Sequence, residues 1–212
     1  MTTSLAPIGM RMRGTISALI IVCSLVTFAP VGASVDTPRD RVETAVNLIL
    51  AILKDDCLSR ESRWEQIGYI IRRRFDIEAM SRSILATNWK KATLEEKRDF
   101  IDFFSQYLEN TYRRNIENYS DEKVRFLGEK IQGERATVDT LIVTDSVEIP
   151  VVYKMRLNGD DWYAYDVIIE GVSLISNYRS TFAAIVKSDG MDGLLLNLQG
   201  SIDKYKLEHG EN

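Results

Sequence analysis

From Thr37 onward, apolar positions recur first with a helical period, then with a strand period, then with a helical period again. Val42, Ala45, Val46, Ile49, Leu50 and Leu53 fall three or four residues apart after Thr37-Pro38. That spacing predicts a helix opening at the proline and closing at Lys54-Asp55-Asp56. A second helix is expected over 62–73, with Trp64, Ile67, Ile70 and Ile71 on one face. Its Arg72-Arg73-Arg74 end meets the negative pole of the helix dipole and reads as a solvated terminus. Asp76 stands where it would cap a short helix carrying Met80, Ile84 and Leu85. Lys90-Lys91-Ala92 reads as a polar linker. Thr93 with Glu96 forms a capping box that opens the longest helix, about 94–118. Its Phe100, Phe103, Phe104, Tyr107, Leu108, Thr111, Tyr112 and Ile116 form one wide stripe. Such a stripe is expected to pack on a broad flat surface, a sheet, unless part of it walls a ligand site.

After Tyr119-Ser120-Asp121 the period becomes two. Four strands are predicted, at 124–131, 136–143, 147–157 and 162–169, joined by Gln132-Gly133-Glu134, Thr144-Asp145-Ser146 and Asn158-Gly159-Asp160. Links this short imply antiparallel hairpins. In the third strand Val147, Ile149, Val151, Tyr153, Met155 and Leu157 face one way, and Glu148, Lys154 and Arg156 the other. Pro150 lacks a donor, which places it at an edge or a bulge. The fourth strand, Trp162 to Ile169, is interrupted only by Asp166, so both its faces are expected to be covered. Glu170-Gly171 turns the chain into a helix over 175–186 bearing Tyr178, Phe182, Ile185 and Val186. Asp189 to Gly193 breaks it, a short helix over 194–198 follows, and residues beyond Lys204 read as a frayed polar tail. The fold class is α+β: N-terminal helices, a four-stranded antiparallel meander, and C-terminal helices.

Residues 1–33 stand apart. Arg11 and Arg13 precede an apolar run from Ile16 to Phe28, and Val31-Gly32-Ala33 supplies small residues, the pattern of a cleaved secretory signal. A membrane anchor is the competing reading, but the run falls short of the ~20 residues a spanning helix needs. Met10 and Met12 are alternative starts to Met1. Residues 34–212 then form a single domain, large enough for a sizeable core. The full chain carries 27 basic and 31 acidic side chains. Losing two arginines with the signal leaves the mature chain more acidic still, which argues against nucleic acid and against permanent residence on an anionic membrane. Cys23 lies inside the signal, so Cys57 is left alone without an internal disulfide partner and reads as a semi-buried thiol.

Catalytic equipment is scarce. His209, the only histidine, sits in the tail, which disfavours a Ser-His-Asp or Cys-His arrangement and a metal site built on His and Cys. No glycine-rich phosphate loop or dinucleotide fingerprint is present. Asp166 and Glu170 are the best pair for acid–base chemistry. Their plainer reading is structural: Asp166 bonded to backbone or a basic side chain, Glu170 fixing the Gly171 turn. The surplus of apolar surface on the last two strands and the long helix fits a cavity for an apolar ligand.

The order of Phe75-Asp76, Met80, Leu85, Trp89, the helix opening at Thr93, Leu108 and Thr111-Tyr112 resembles the toluene-tolerance family, the MlaC-type periplasmic phospholipid carriers. Tyr165-Asp166-Val167, Glu170-Gly171-Val172-Ser173 and Asp189-Gly190-Met191-Asp192-Gly193-Leu194 complete the resemblance, which spans about residues 38–200. It implies a non-enzymatic carrier of the Gram-negative periplasm without a cofactor, acting as a monomer with only transient membrane contact. It would take lipid between an outer-membrane lipoprotein–porin complex and an inner-membrane ABC transporter, maintaining outer-membrane lipid asymmetry. The acyl chains would enter a pocket between sheet and helices. The residues expected around them are Phe104, Tyr107 and Leu108 of the long helix; Val151, Tyr153, Met155, Tyr165, Val167 and Ile169 of the last two strands; and Val172, Ile175 and Tyr178 beyond the turn. Glu170, Gly171 and Ser173 are expected to shape the mouth. A slip of one residue in a strand would reverse its face. A carrier of another apolar lipid, such as a hopanoid, an envelope enzyme using Asp166 and Glu170, and a pure adaptor remain as alternatives.

Overall fold

The computed structural model describes residues 36–117 and 123–210. The expected signal segment and the expected end of the long helix at Asn118 lie outside the described residues. The described elements run α1 (Pro38–Leu53), α2 (Arg60–Arg74), α3 (Ile77–Leu85), α4 (Thr87–Lys91), α5 (Leu94–Glu117), β1 (Lys123–Gln132), β2 (Arg135–Val143), β3 (Glu148–Asn158), β4 (Asp161–Ile169), β5 (Val172–Ser173) and α6 (Leu174–His209).

The helix starts follow from their capping residues. Thr37 Oγ1 accepts from Asp40 N at 3.1 Å while Asp40 returns a bond to Thr37 N, and Thr93 with Glu96 repeats the arrangement on α5. Asp76 Oδ1 accepts from Ala79 N at 2.8 Å and opens α3. Asp76 also binds this junction to the sheet, because its N–H donates to the Ala164 carbonyl at 2.8 Å and its carboxylate pairs with Arg156. The expected polar linker at Lys90-Lys91 is instead the end of the one-turn helix α4; its cationic side chains lie at the negative helix terminus.

The sheet is an antiparallel meander in sequence order, with five strands rather than four. The added strand β5 is two residues long and pairs with β4 across Glu170-Gly171 (Ile169 opposite Val172, Ile168 opposite Ser173). Both turn residues have positive φ, 50° and 83°, as a two-residue hairpin whose twist matches its strands requires. Pro150 lies within β3, an interior strand rather than an edge. Its position is still tolerated: β4 pairing ends at Val151 opposite Ile169, and the Pro150 carbonyl accepts from Glu170 N in the turn beyond. No ladder donor is needed on that side.

β4 departs from simple alternation. Lys154 pairs with Asp166 and Met155 with Ala164, so Tyr165 is an extra, bulged residue. Both faces are covered, one more fully: Trp162, Ala164 and Val167 are buried, whereas on the other face Asp166 is buried and Tyr163, Tyr165 and Ile168 are half-buried. Two cores result. Ala136, Val138, Met155 and Trp162 of the sheet pack with Val42 of α1. The other core is almost wholly helical and joins Met80, Ile84, Phe100, Phe104, Tyr178, Phe182, Leu194 and Leu198.

α5 therefore finds its partner in a helix. Phe100 and Phe104 stack at 5.5 Å between ring centroids and meet Phe182 edge-on at 5.9 and 6.0 Å. Tyr178 stands edge-on to Phe104 at 5.5 Å. An edge-to-face arrangement satisfies the ring quadrupoles as well as burying area. The aromatic stripe thus fastens α5 to α6, and its other end is left facing the sheet across open space.

α6 is one helical run bent at Gly190, where φ is 74° and ψ −172°. The expected short helix over 194–198 extends to His209, and the residues expected to fray after Lys204 continue it. Leu194, Leu198 and Ile202, four residues apart and all buried, explain the extension. Cys57 is exposed rather than semi-buried.

Candidate functional site

Between α5 and the sheet lies a cavity of about 690 Å³. Its floor is the sheet: Ile142, Ile149, Val151, Tyr153, Val167 and Ile169. Leu108, Tyr112 and Ile116 of α5 form the roof, and Ile71, Phe75, Ile77 and Met80 close one side. These walls follow from the meander's alternation, since Val151, Tyr153, Val167 and Ile169 are paired across β3 and β4 on one face. A smaller cavity of about 210 Å³ lies under α1. Ile71, Phe75, Ile116, Ile142 and Tyr153 line both, so these side chains are the partition between the two spaces.

Polar groups are confined to a few positions on the larger cavity: Arg72, Glu109, Glu170, Ser105, Thr144 and Asn177. Arg72 Nη1 lies 3.2 Å from Glu109 Oε2, with the arginine side chain half in water. Gly68, one turn before Arg72, makes room for this pair: a Cβ there would stand 2.8 Å from Glu109 Oε1 and 2.9 Å from Arg72 Nη1. Deeper in, burial pushes the Tyr178 phenol far above its ordinary range, reinforced by Tyr112 and then Tyr107. Burial likewise raises Tyr112, against the effect of its hydrogen bond with Tyr178. Tyr112 and Tyr178, between cavity and core, are therefore neutral at physiological pH.

Asp166 is 4 % exposed and is absent from the cavity walls. Its Oδ2 accepts from Ser173 Oγ at 2.8 Å, its Oδ1 accepts from Ile175 N at 3.2 Å, and Lys154 Nζ lies 3.4 Å away. Ser173 Oγ in turn accepts from Ser176 N at 3.1 Å as the N-cap of α6. The carboxylate thus binds β4 to the start of α6, where negative charge also meets the positive helix terminus. Glu170 is exposed on the rim. The two carboxylates do not converge on a common space, so the geometry needed for acid–base work is missing. Among the described residues, no group of three or more His, Cys, Asp or Glu is placed to hold a metal ion.

A family model described as MlaC protein matches residues 43–200. The chain belongs to the MlaC family. The Intermembrane phospholipid transport system binding protein MlaC of Haemophilus influenzae is 24% identical over 132 residues, 59% of this chain and 62% of that protein. The chain thus spans about three fifths of that relative's length. The Toluene tolerance protein ttg2D of Pseudomonas putida is 24% identical over 175 residues, 79% of this chain and 81% of that protein. A solved phospholipid-binding protein from Ralstonia solanacearum, in complex with a phospholipid, superposes with a TM-score of 0.71 at 23% identity, covering 78% of this chain and 96% of that one. At that identity the likeness establishes a common fold.

Of the residues expected around a ligand in this MlaC-family chain, Leu108, Val151, Tyr153, Val167, Ile169 and Val172 line the larger cavity, and Met155 lines only the smaller one. Phe104, Tyr107, Ile175 and Tyr178 belong instead to the helical core, because α5 turns its first half to α6. Tyr165 lies away from the cavity: the bulge puts it beside Arg135, whose guanidinium carbon is 5.6 Å from its ring centroid. Glu170 is on the rim as expected, but Gly171 and Ser173 are not among the lining residues; Ser173 caps α6. Ile71, Phe75, Ile77, Met80, Tyr112, Ile116, Ile142, Ile149 and Leu174 were not anticipated as walls, nor were Arg72 and Glu109 on the rim. Ile71, Tyr112 and Ile116 sat in the helical stripes. The choice between core and cavity for each depended on where α5 leaves the sheet.

Proposed function

We propose that this MlaC-family chain is a non-enzymatic phospholipid carrier of the Gram-negative periplasm, delivered there by cleavage of residues 1–33. It takes lipid between an outer-membrane lipoprotein–porin complex and an inner-membrane ABC transporter, as a monomer that touches either membrane only in passing. The observation that carries this reading is the apolar cavity of about 690 Å³ between α5 and the sheet, with only Arg72, Glu109 and Glu170 as charged groups among its described lining residues. A two-tailed lipid exposes ~30 methylenes, which cost ~24 kcal/mol in water at ~0.8 kcal/mol each. Crossing an aqueous space therefore needs walls on all sides of the tails. The floor of β3 and β4, the roof of α5 and the side formed by Ile71 and Phe75 supply three of them. The smaller cavity beyond Tyr153 gives the tail ends further apolar room.

α5 is held by α6 and α3, with the cavity separating it from the sheet. Loading then needs side-chain displacement along the α5–β3 gap, while the Phe100–Phe104–Phe182 cluster keeps the frame closed. The test is extraction: mature protein freed of lipid is mixed with vesicles containing tail-labelled phosphatidylethanolamine, then separated from them. One labelled lipid or more recovered per chain supports the carrier. Protein that returns without label, from vesicles of several headgroups, refutes it.

A further inference from the structure

We infer that Arg72 is the phosphate anchor of the cavity, released from Glu109 when a phosphodiester arrives. This inference rests on the carrier reading. Arg72 is the only cationic side chain among the described residues lining the larger cavity; the other charged groups there are Glu109 and Glu170. A lipid whose tails fill the apolar space leaves its phosphate where the walls turn polar, at the level of this arginine. A guanidinium presents paired donors that match two phosphate oxygens, and its present partner is held weakly. The contact with Glu109 is a single one at 3.2 Å, with the Arg72 side chain 50% exposed, the class of ion pair that contributes little net stability.

Gly68 lets both side chains lie directly against the α2 backbone, where a Cβ would stand 2.8 Å from Glu109 Oε1 and 2.9 Å from Arg72 Nη1. The exchange replaces one anionic partner with another and leaves no cation unpaired in either state. It also gives the sequence run Arg72-Arg73-Arg74 differentiated roles. Arg74 is committed to Asp161 at 3.4 Å and Arg73 stands over the Tyr69 ring at 5.6 Å, which leaves Arg72 as the member that faces the cavity.

The test compares two lipids with the same labelled tails, phosphatidylglycerol and diacylglycerol, extracted from vesicles by wild type, Arg72→Ala, Arg72→Lys and Glu109→Gln. The expected result is about a tenfold loss of phosphatidylglycerol retention in Arg72→Ala, the low end for a charge-assisted hydrogen bond because the site is half in water. Diacylglycerol retention should not change, Arg72→Lys should recover part of the loss, and Glu109→Gln should retain phosphatidylglycerol at least as well as wild type. Equal loss of both lipids, or loss of neither, would overturn the assignment. Calorimetric titration of inorganic phosphate is the remaining arm. Arg72-dependent binding of free phosphate without any lipid effect would make the group a free-anion site and overturn the headgroup assignment. If wild type extracts neither lipid, the carrier reading fails and the anchor falls with it; if wild type extracts both and Arg72→Ala matches it, only the anchor fails.

Discussion

Replacing Asp166 by Asn separates a structural carboxylate from a catalytic one. The native group is almost wholly buried, accepts from Ser173 Oγ and Ile175 N, and has Lys154 at 3.4 Å. Asn keeps one acceptor oxygen and turns an NH2 group toward a partner that had donated a hydrogen bond to the carboxylate. One charge-assisted bond is lost, worth roughly 1.5–3 kcal/mol, together with roughly 0.3–1 kcal/mol of favourable charge at the α6 N-terminus. The Lys154 pair adds little, since the lysine is 36% exposed. A loss of about 2–4 kcal/mol is expected, a fall of about 2–4 °C in Tm for each kcal/mol in a domain of this size. Urea unfolding gives the free energy, and lipid content per folded chain is measured on the same preparation below the transition. Ser173→Ala should cost about 1 kcal/mol as a lost helix cap, and the double variant should fall short of additivity by more than about 0.5 kcal/mol, because both act through one junction. An Asp166→Asn protein of unchanged stability that has lost its lipid, or lost a chemical activity, would refute this account of Asp166.

Three further outcomes follow from the geometry. Val167→Trp puts a ring into the cavity from the sheet floor; overpacking costs about 1–3 kcal/mol, so the chain should still fold while vesicle extraction falls several-fold. Bidentate bonds from Arg60 at 2.8 and 3.1 Å hold the Glu117 carboxyl below its ordinary 4.5, opposed by burial and aided by Trp64. A depressed folded pKa stabilises above 4.5 and is lost as pH falls below it; Glu117→Gln should therefore cost about 1 kcal/mol at pH 7, with the gap in urea midpoints closing well below pH 4.5. Gly190 has φ 74° and ψ −172°, a region closed to side chains, so Gly190→Ala should destabilise by about 1–3 kcal/mol, read as a lower Tm, whereas Gly200→Ala in the regular part of the same helix should not.

The elements set by contacts close in sequence were legible in advance. The Thr93–Glu96 and Asp76–Ala79 caps depend on residues three apart, and Asn158-Gly159-Asp160 marked a hairpin whose strands pair at Asn158 and Asp161. What escaped depends on tertiary structure. Tyr165 looked inward by counting from Val167, and one bulged residue reversed it. Phe104 and Leu108 share a stripe on α5, yet one packs on Phe182 and the other faces the cavity, because α5 passes from helix contact to open space between them. Arg72 and Glu109 are 37 residues apart, and nothing local in either helix predicts their meeting. Ile202 was missed because its neighbours are polar, though its spacing from Leu194 and Leu198 held the signal.

The most direct measurement is native mass spectrometry of the mature protein purified without detergent, followed by lipid analysis of its organic extract. The account predicts a mass above that of the bare chain by whole phospholipid molecules, with the same phospholipids in stoichiometric amount in the extract. A protein that carries no lipid as purified and takes none from labelled vesicles would contradict it.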